Sequence, residues 1–464
     1  MKRSLTAVFT VMLILIATLC TCCTFDDTNS NVSSDDASGH GVIDMSSSPI
    51  SSDIPSEQSK PQESQVSNPV SSEDNSSVVS EPELELNISE TLKKIYPEEL
   101  PYIPIQEEER AVFSALTVGQ KELYNIFYNA VMAMKTGNID FGNCNYEDFQ
   151  LALYAVKADH PEIFWFPREY VITVIGGNRV LKISESGKTG YTYTKEEVEL
   201  IQELMKSSLQ NFVSELGTVP KTQYEIELFT HDWMLSRMTY DKEAEANPDT
   251  NPFAWTSYGG LIKGSAVCEG YARTFQLLLN MVGIQCGTVT GMTDELHIWN
   301  YVKISGQYYY VDPTFNDTND GGYYTYFNVT TDYIEDTHLL DPDYNNADID
   351  DVESGNFNFN LPFCDSTKYN YAVVNGFYID EKDDVYEKIA NIIADKYIAG
   401  KKSAELVLSP MFKYSNGVTK IGDVLDLEHL FELVNKKLPE GEEILLENVT
   451  FTGITNSTGI TIHW

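Results

Sequence analysis

Gly264-Ser265-Ala266-Val267-Cys268-Glu269-Gly270-Tyr271-Ala272, followed by the apolar run Phe275–Val282 and closed by Gly283, is the stretch on which the fold turns. Small residues before the cysteine let a loop approach its neighbours closely. The run after it predicts a buried helix, with Cys268 at or near its first turn. There the free N–H groups and the positive end of the macrodipole favour a thiolate. The same N–H groups can hold an oxyanion.

Downstream, Gln285–Gly291, His297–Ile304 and Gln307–Asp312 read as three strands, the last two joined at Ser305-Gly306. An even loop there, two or four residues, makes facing positions sum to 611. Trp299 then faces Asp312, and His297 lies one diagonal away on the same face, with Cβ atoms about 7 Å apart. A three-residue loop would put His297 and Asp312 on opposite faces. Pro313 ends strand pairing just after Asp312. The arrangement is a cysteine at a helix start, followed by a strand pair carrying His and Asp. It supplies what acyl transfer from an amide needs: a thiolate to attack, an imidazole to take and return the proton, and a carboxylate to orient the imidazole. Singly, each residue has a blander reading: a core thiol, a structural histidine, a turn aspartate. Their order, spacing and context carry the joint one.

Cys268-Glu269-Gly270-Tyr271-Ala272, His297-Ile298-Trp299-Asn300 and Tyr310-Val311-Asp312-Pro313-Thr314 resemble the three signature blocks of bacterial transglutaminase-like domains. Tyr240-Asp241 and Tyr258-Gly259-Gly260-Leu261 also match, and the resemblance covers about residues 222–330. Asp159–Phe166 and Tyr369–Tyr378 resemble segments of related surface lipoproteins. The resemblance implies a papain-like α+β core, a Cys helix packed on an antiparallel sheet. It implies Cys268 as nucleophile, His297 as general base then acid, and Asp312 as the orienting residue. It also implies an upstream side chain beside the Cys backbone N–H in an oxyanion hole. Tyr258, Trp255 and Trp233 are candidates, with Tyr258 favoured, and Trp299 is a further substrate or oxyanion candidate.

Further out, Lys2 and Arg3 precede an apolar run, Leu5–Leu19, too short to span a hydrocarbon core of about 30 Å but of secretory length. It ends in Cys20-Thr21-Cys22-Cys23, which resembles the lipobox of bacterial lipoproteins, although Thr21 stands where a smaller residue is usual. Residues 1–23 are therefore expected to be a lipoprotein-type signal peptide, with Cys22 the lipid attachment site. Residues 24–91 are rich in Ser, Asp and Glu, with Lys60 the only Lys or Arg, and are expected to be a disordered tether. A flexible chain of that length reaches about 45 Å.

The expected organisation continues with an α+β region at 92–221 and a transglutaminase-like core at 222–340. An acidic junction at 341–367 and a small α/β unit at 368–464 follow. Thr117 with Gln120, Thr194 with Glu197 and Thr222 with Glu225 read as capping boxes opening helices. The first of these helices is expected to stop at Gly137. In the C-terminal unit Tyr369–Asn375, Ala404–Leu408, Glu442–Thr450 and Thr458–Trp464 read as strands, and Asp383–Ile398 and Leu427–Lys437 as helices.

The net charge of −39 over 464 residues disfavours nucleic acid as a partner. Past the leader only Cys144, Cys268, Cys286 and Cys364 remain, with no zinc spacing and too few for a disulfide framework. Asp317–Gly321 and Asp341–Asp351 lack calcium-loop spacing. His231 reads as a packing residue and Cys286 as a buried thiol. No metal or cofactor is expected. These residues predict an exported, lipid-anchored cysteine enzyme facing outside, acting on a protein or peptide at or near the cell surface or wall. Hydrolysis is favoured, with transfer to an amine open. The competing expectation is a non-enzymatic surface-binding or adhesion module on the same fold.

Overall fold

The computed structural model describes residues 104–464 except 168–169, 185–189, 219–220, 318–323, 341–358, 381–383, 410–424 and 454–458. The leader, Cys22, the tether and most of the acidic junction lie outside the described residues.

The three capping boxes are all present. Thr117, Thr194 and Thr222 accept from the backbone of Gln120, Glu197 and Glu225, whose side chains reach back to the cap. They open α1 (Val118–Met132), α3 (Lys195–Leu216) and α4 (Gln223–Leu235), with α2 (Tyr146–Asp159) between the first two. α1 does not run to Gly137. It closes at Met134, which takes φ 47°. Lys135 N–H donates to Ala130 O at 2.9 Å and Met134 N–H to Val131 O at 3.0 Å. This is the glycine-type C-terminal turn with methionine in the left-handed position. Gly137 instead begins β1 (Gly137–Asp140), which joins β2 (Tyr170–Ile175) and β3 (Asn178–Ile183) in an antiparallel sheet of order β1-β3-β2.

After α4 the chain makes a two-residue strand, β4 (Thr239–Tyr240), a short helix, α5 (Lys242–Ala246), and a π-turn at Gly259–Lys263. β5 (Ser265–Ala266) pairs in parallel with β4 and leads into α6 (Cys268–Met281). The second antiparallel sheet, β6-β7-β8, consists of Cys286–Met292, Leu296–Ile304 and Gln307–Val311. One-turn helices α7 (Pro313–Asn316) and α8 (Thr331–Ile334) follow.

The main core joins α1–α4, α6 and one face of the second sheet, through Phe127, Phe149, Phe212, Phe275, Val302 and Val311 among others. It runs continuously across residue 222. A buried polar knot ties the first described segment to this core. Asp159 accepts from Val112 N–H (2.9 Å) and Phe113 N–H (2.7 Å), and the Arg110 guanidinium donates to the Asp159 carbonyl. The next turn grips the cysteine helix and its loop: Gln276 donates to Ala158 O at 2.8 Å, and Ser257 to Pro161 O at 2.5 Å.

The C-terminal sheet departs from the expected pattern twice. Tyr371–Val374 is a helical turn, α9, because Asn370 accepts from both Ala372 and Val373 N–H and turns the chain locally. The expected strand at Glu442–Thr450 is replaced by β11 (Thr450–Gly453). Asn435 takes both backbone groups of Ile444, at 2.9 and 3.1 Å, so that stretch has no ladder to offer. With β9 (Tyr378–Ile379), β10 (Ser403–Leu408) and β12 (Gly459–His463), β11 completes a sheet of order β11-β12-β10-β9. Helices α10 (Val385–Ile398) and α11 (Leu427–Asn435) share its core. Helices and sheets are thus mixed in the α+β manner. No helix among the described residues is long and apolar enough to cross a membrane.

Candidate active site

The loop before Cys268 is set by backbone constraints. Gly264 sits at φ 62°, and a Cβ there would lie 2.7 Å from Arg237 O. Asp241 pins the next residues, accepting from Ser265 Oγ at 2.7 Å and Asn251 Nδ2 at 2.8 Å. Val267 N–H donates to Ala254 O at 3.0 Å. Val267 then caps α6 without a side-chain hydrogen bond. The first-turn N–H groups therefore keep their donors for another acceptor. Gly270 lets the helix dock closely, since a Cβ would meet Ala254 O at 2.2 Å. At its far end α6 closes on Gly283 at φ 81°. Cys268 is half-buried and free; Cys286 and Cys364 are buried and free.

The strand pair has the register of the even loop. Ile304 faces Gln307 and Asn300 faces Val311, so Ser305-Gly306 is a two-residue turn. His297 Nε2 and Asp312 Oδ2 come to 2.7 Å, with Asp312 fully buried. Asn300, on the other face, donates to Ala272 O at 3.0 Å and locks the sheet to the cysteine helix. Asp312 also caps α7, its Oδ1 accepting from Thr314 N–H (2.8 Å) and Phe315 N–H (3.0 Å). Burial alone would raise the Asp312 carboxyl, but His297 and His338 hold it well below the usual range. Burial alone would lower the His297 imidazole; the Asp312 carboxylate overrides this and, with the adjoining Cys268 thiol, pushes it up to about 10.

Two neighbours of the site escaped the sequence reading of roles. His338 Nε2 lies 2.9 Å from the same Asp312 oxygen, and the residue is fully buried. Nothing periodic or motif-like marks it, 26 positions beyond Asp312. Tyr240 stood out only as part of a motif. The β4–β5 pairing sets it opposite Ala266. Burial, then charge on Cys268, push its ionisation far up, so it stays a phenol. Its hydroxyl donates to Glu245 at 2.6 Å. Glu295 sits beside this group, raised first by burial and then by Glu245.

The other sequence candidates divide: Trp255 and Trp299 stay beside the site, whereas Tyr258 and Trp233 pack away from it. Trp255, with Tyr240, packs against the small cluster of Ala244, Ala254 and Val267, the last at the cap of α6. Tyr258 is buried against Phe253 and Phe164, with ring centroids 4.6 and 5.7 Å away. Trp233 packs edge-on against Phe212 under the Arg237 guanidinium. It lines a cavity of about 120 Å³ that Cys268, His297 and Asp312 do not border. Trp299 is fully buried, its ring stacked at 6.0 Å behind His297. His231 packs against Phe275 and Phe327 and meets Asn316 at 3.1 Å. His297, Asp312 and His338 bring three ligand-type atoms within 4.8 Å of one another. A metal there would have to displace both imidazole–carboxylate hydrogen bonds.

Residues 210–313, a span that contains Cys268, His297 and Asp312, match the model of the transglutaminase-like superfamily. The chain carries a transglutaminase-like domain. Kyphoscoliosis peptidase from Mus musculus and from Homo sapiens is each 27% identical over 135 residues, covering 26% of this chain. The match takes in 20% of each relative, so this chain spans about a fifth of their length. A crystal structure of a TGase aligns over 38% of this chain and 50% of its own, at 14% identity and a TM-score of 0.24. The superfamily match stops short of His338, which reaches the transglutaminase-like domain from outside the matched span.

Proposed function

We propose that this protein is a cysteine enzyme that opens peptide or protein amides through a thioester on Cys268. One observation carries the reading. A His297–Asp312 pair at 2.7 Å adjoins a half-buried cysteine at the first turn of α6. With Nε2 engaged by Asp312, Nδ1 is the ring nitrogen left for the thiol. The Cys268 sulfur attacks the amide carbon, and the carbonyl electrons move onto oxygen. The first-turn N–H groups stabilise that oxyanion, with Trp255, or a Tyr240 hydroxyl turned from Glu245, as the neighbouring side-chain donor. His297 gives its proton to the departing amine as the C–N bond breaks. A thioester remains, and water entering with His297 as base releases a carboxylic acid and restores the thiol.

Hydrolysis is favoured over transfer to an amine, supported by the name peptidase borne by the curated relatives. The leader supports an exported protein lipid-anchored at Cys22, with the acidic tether carrying the enzyme to surface proteins. Amide cleavage tests the enzyme reading: reduced, unfolded proteins incubated with the full chain should gain new termini or lose side-chain amide nitrogen. The Cys268→Ala chain should do neither. Equal products from both chains would sink the reading and leave a binding module.

A further inference from the structure

Asp312 is more fully engaged than a simple orienting carboxylate requires. Oδ1 takes two backbone N–H groups at 2.8 and 3.0 Å, and Oδ2 takes two imidazole nitrogens at 2.7 and 2.9 Å. Four donors meet the roughly four lone-pair positions of a carboxylate. An ionised carboxylate only accepts, so both Nε2 atoms carry hydrogen.

His338 shares the Trp299 and Phe315 rings with His297 but differs in what its other ring nitrogen meets. Its Nδ1 lies 2.7 Å from Thr337 Oγ1, not beside a thiol. Its ring is enclosed by Trp299, Phe315 and Tyr326, with centroids 4.8, 4.9 and 5.1 Å away. The charged or titratable groups facing it are Asp312 and His297 from the strand ends and Tyr326 from the loop; Asp336, on its own segment, acts on Tyr326. Its backbone is fixed too. His338 N–H donates to Ile334 O at 2.8 Å, and Leu339 pairs both ways with Met292, at the end of β6. Burial lowers the basicity of His338 and the nearby His297 charge lowers it further, against the pull of Asp312.

We propose that His338 is a positioning residue for the reaction at Cys268: an imidazole that donates Nε2–H to Asp312 Oδ2 while Thr337 donates to its Nδ1. The two histidines on one carboxylate then divide the work. His297 gains and loses the proton, and His338 holds Asp312 ionised and aimed. Without the second donor, Oδ2 has an empty position in a dry site. Asp312 then protonates more readily and His297 loses its fixed orientation.

The inference rests on the thioester reading of Cys268, but its tests use the imidazole state and thiol reactivity rather than amide turnover. A missing acyl product would defeat that reading alone. The first test is ¹⁵N–¹H NMR of the histidine rings in the full chain. His338 should be the neutral Nε2–H tautomer at about pH 8 and should take up its proton at lower pH than an ordinary histidine. A His338 that is Nδ1–H or imidazolium there overturns the proposal.

The second test is iodoacetamide alkylation of Cys268 against pH in His338→Gln and His338→Met. Glutamine keeps an N–H donor of similar reach; methionine fills the space without one. The methionine variant should alkylate at least about tenfold more slowly at pH 6, its acid limb raised by about one unit. The glutamine variant should stay within about threefold of the parent. Equal impairment of both would show a space-filling role, and no change in either would show none; each refutes the proposal. Should His338→Met fail to fold, the tautomer and the His338→Gln profile decide.

Discussion

His297 and Asp312 meet at 2.7 Å because a two-residue turn puts them on one face of a β-hairpin, one diagonal apart. Their union makes stability depend on pH. The histidine is raised to about 10 from an unfolded value near 6.5. Its contribution is therefore complete below about pH 6.5 and lost as pH rises towards 10. Asp312→Asn should abolish that alkaline decline, followed by urea denaturation from pH 6 to 10. The same variant should cut amide turnover on the order of 10³–10⁴-fold.

Tyr240 and Tyr258 separate two versions of the oxyanion hole. Tyr240 neighbours Cys268 as a protonated phenol, whereas Tyr258 packs into the aromatic core. Tyr240→Phe should lower kcat on the order of 10²-fold, and Tyr258→Phe should leave it within about threefold. The reverse order in steady-state kinetics would return the role to Tyr258.

Glu227 is fully buried, with Asn328 donating to one oxygen at 2.7 Å and the other oxygen unpartnered. Burial pushes it up to about 8, against the hydrogen bond from Asn328. An acid raised on folding costs stability as pH climbs from about 4.3 to about 8, because the folded state keeps a proton the unfolded state releases. Glu227→Gln should thus gain on the order of 3–4 kcal/mol relative to the parent between pH 5 and pH 8. A difference that does not change between those two pH values would contradict this burial of a neutral acid.

Gly270 tests the docking of the cysteine helix. Alanine is the better helix former, yet its Cβ would meet Ala254 O at 2.2 Å and Ala266 Cβ at 2.6 Å. Gly270→Ala should destabilise by about 1–3 kcal/mol. Gly119→Ala, exposed on α1 with nothing within 4 Å of its Cβ, should stabilise by up to about 1 kcal/mol. Opposite signs in thermal denaturation are the expected result.

Much of this site could be read locally. Capping boxes are contiguous signals, and those at Thr117, Thr194 and Thr222 placed their helices. Parity across Ser305-Gly306 was enough to join His297 to Asp312 once the loop proved even. What escaped depends on contacts or on unusual residues in ordinary turns. Met134 occupies a position that usually calls for glycine, so α1 ends early. Asn370 and Asn435 divert backbone groups that alternation assigned to strands. His338 gains meaning only where the Leu339–Met292 bridge returns the chain to the edge of β6. Tyr240 gains its place through pairing with Ala266, across a long loop.

The chemistry proposed for this site depends on a covalent thioester on Cys268. Intact-protein mass spectrometry after acid quench of the full chain with an amide substrate tests it most directly. An added acyl mass mapping to Cys268 is expected, removed by hydroxylamine, absent from Cys268→Ala and accumulating poorly in His297→Ala. Amide turnover by the parent chain with no adduct at Cys268, or with the adduct on Cys144, would contradict it.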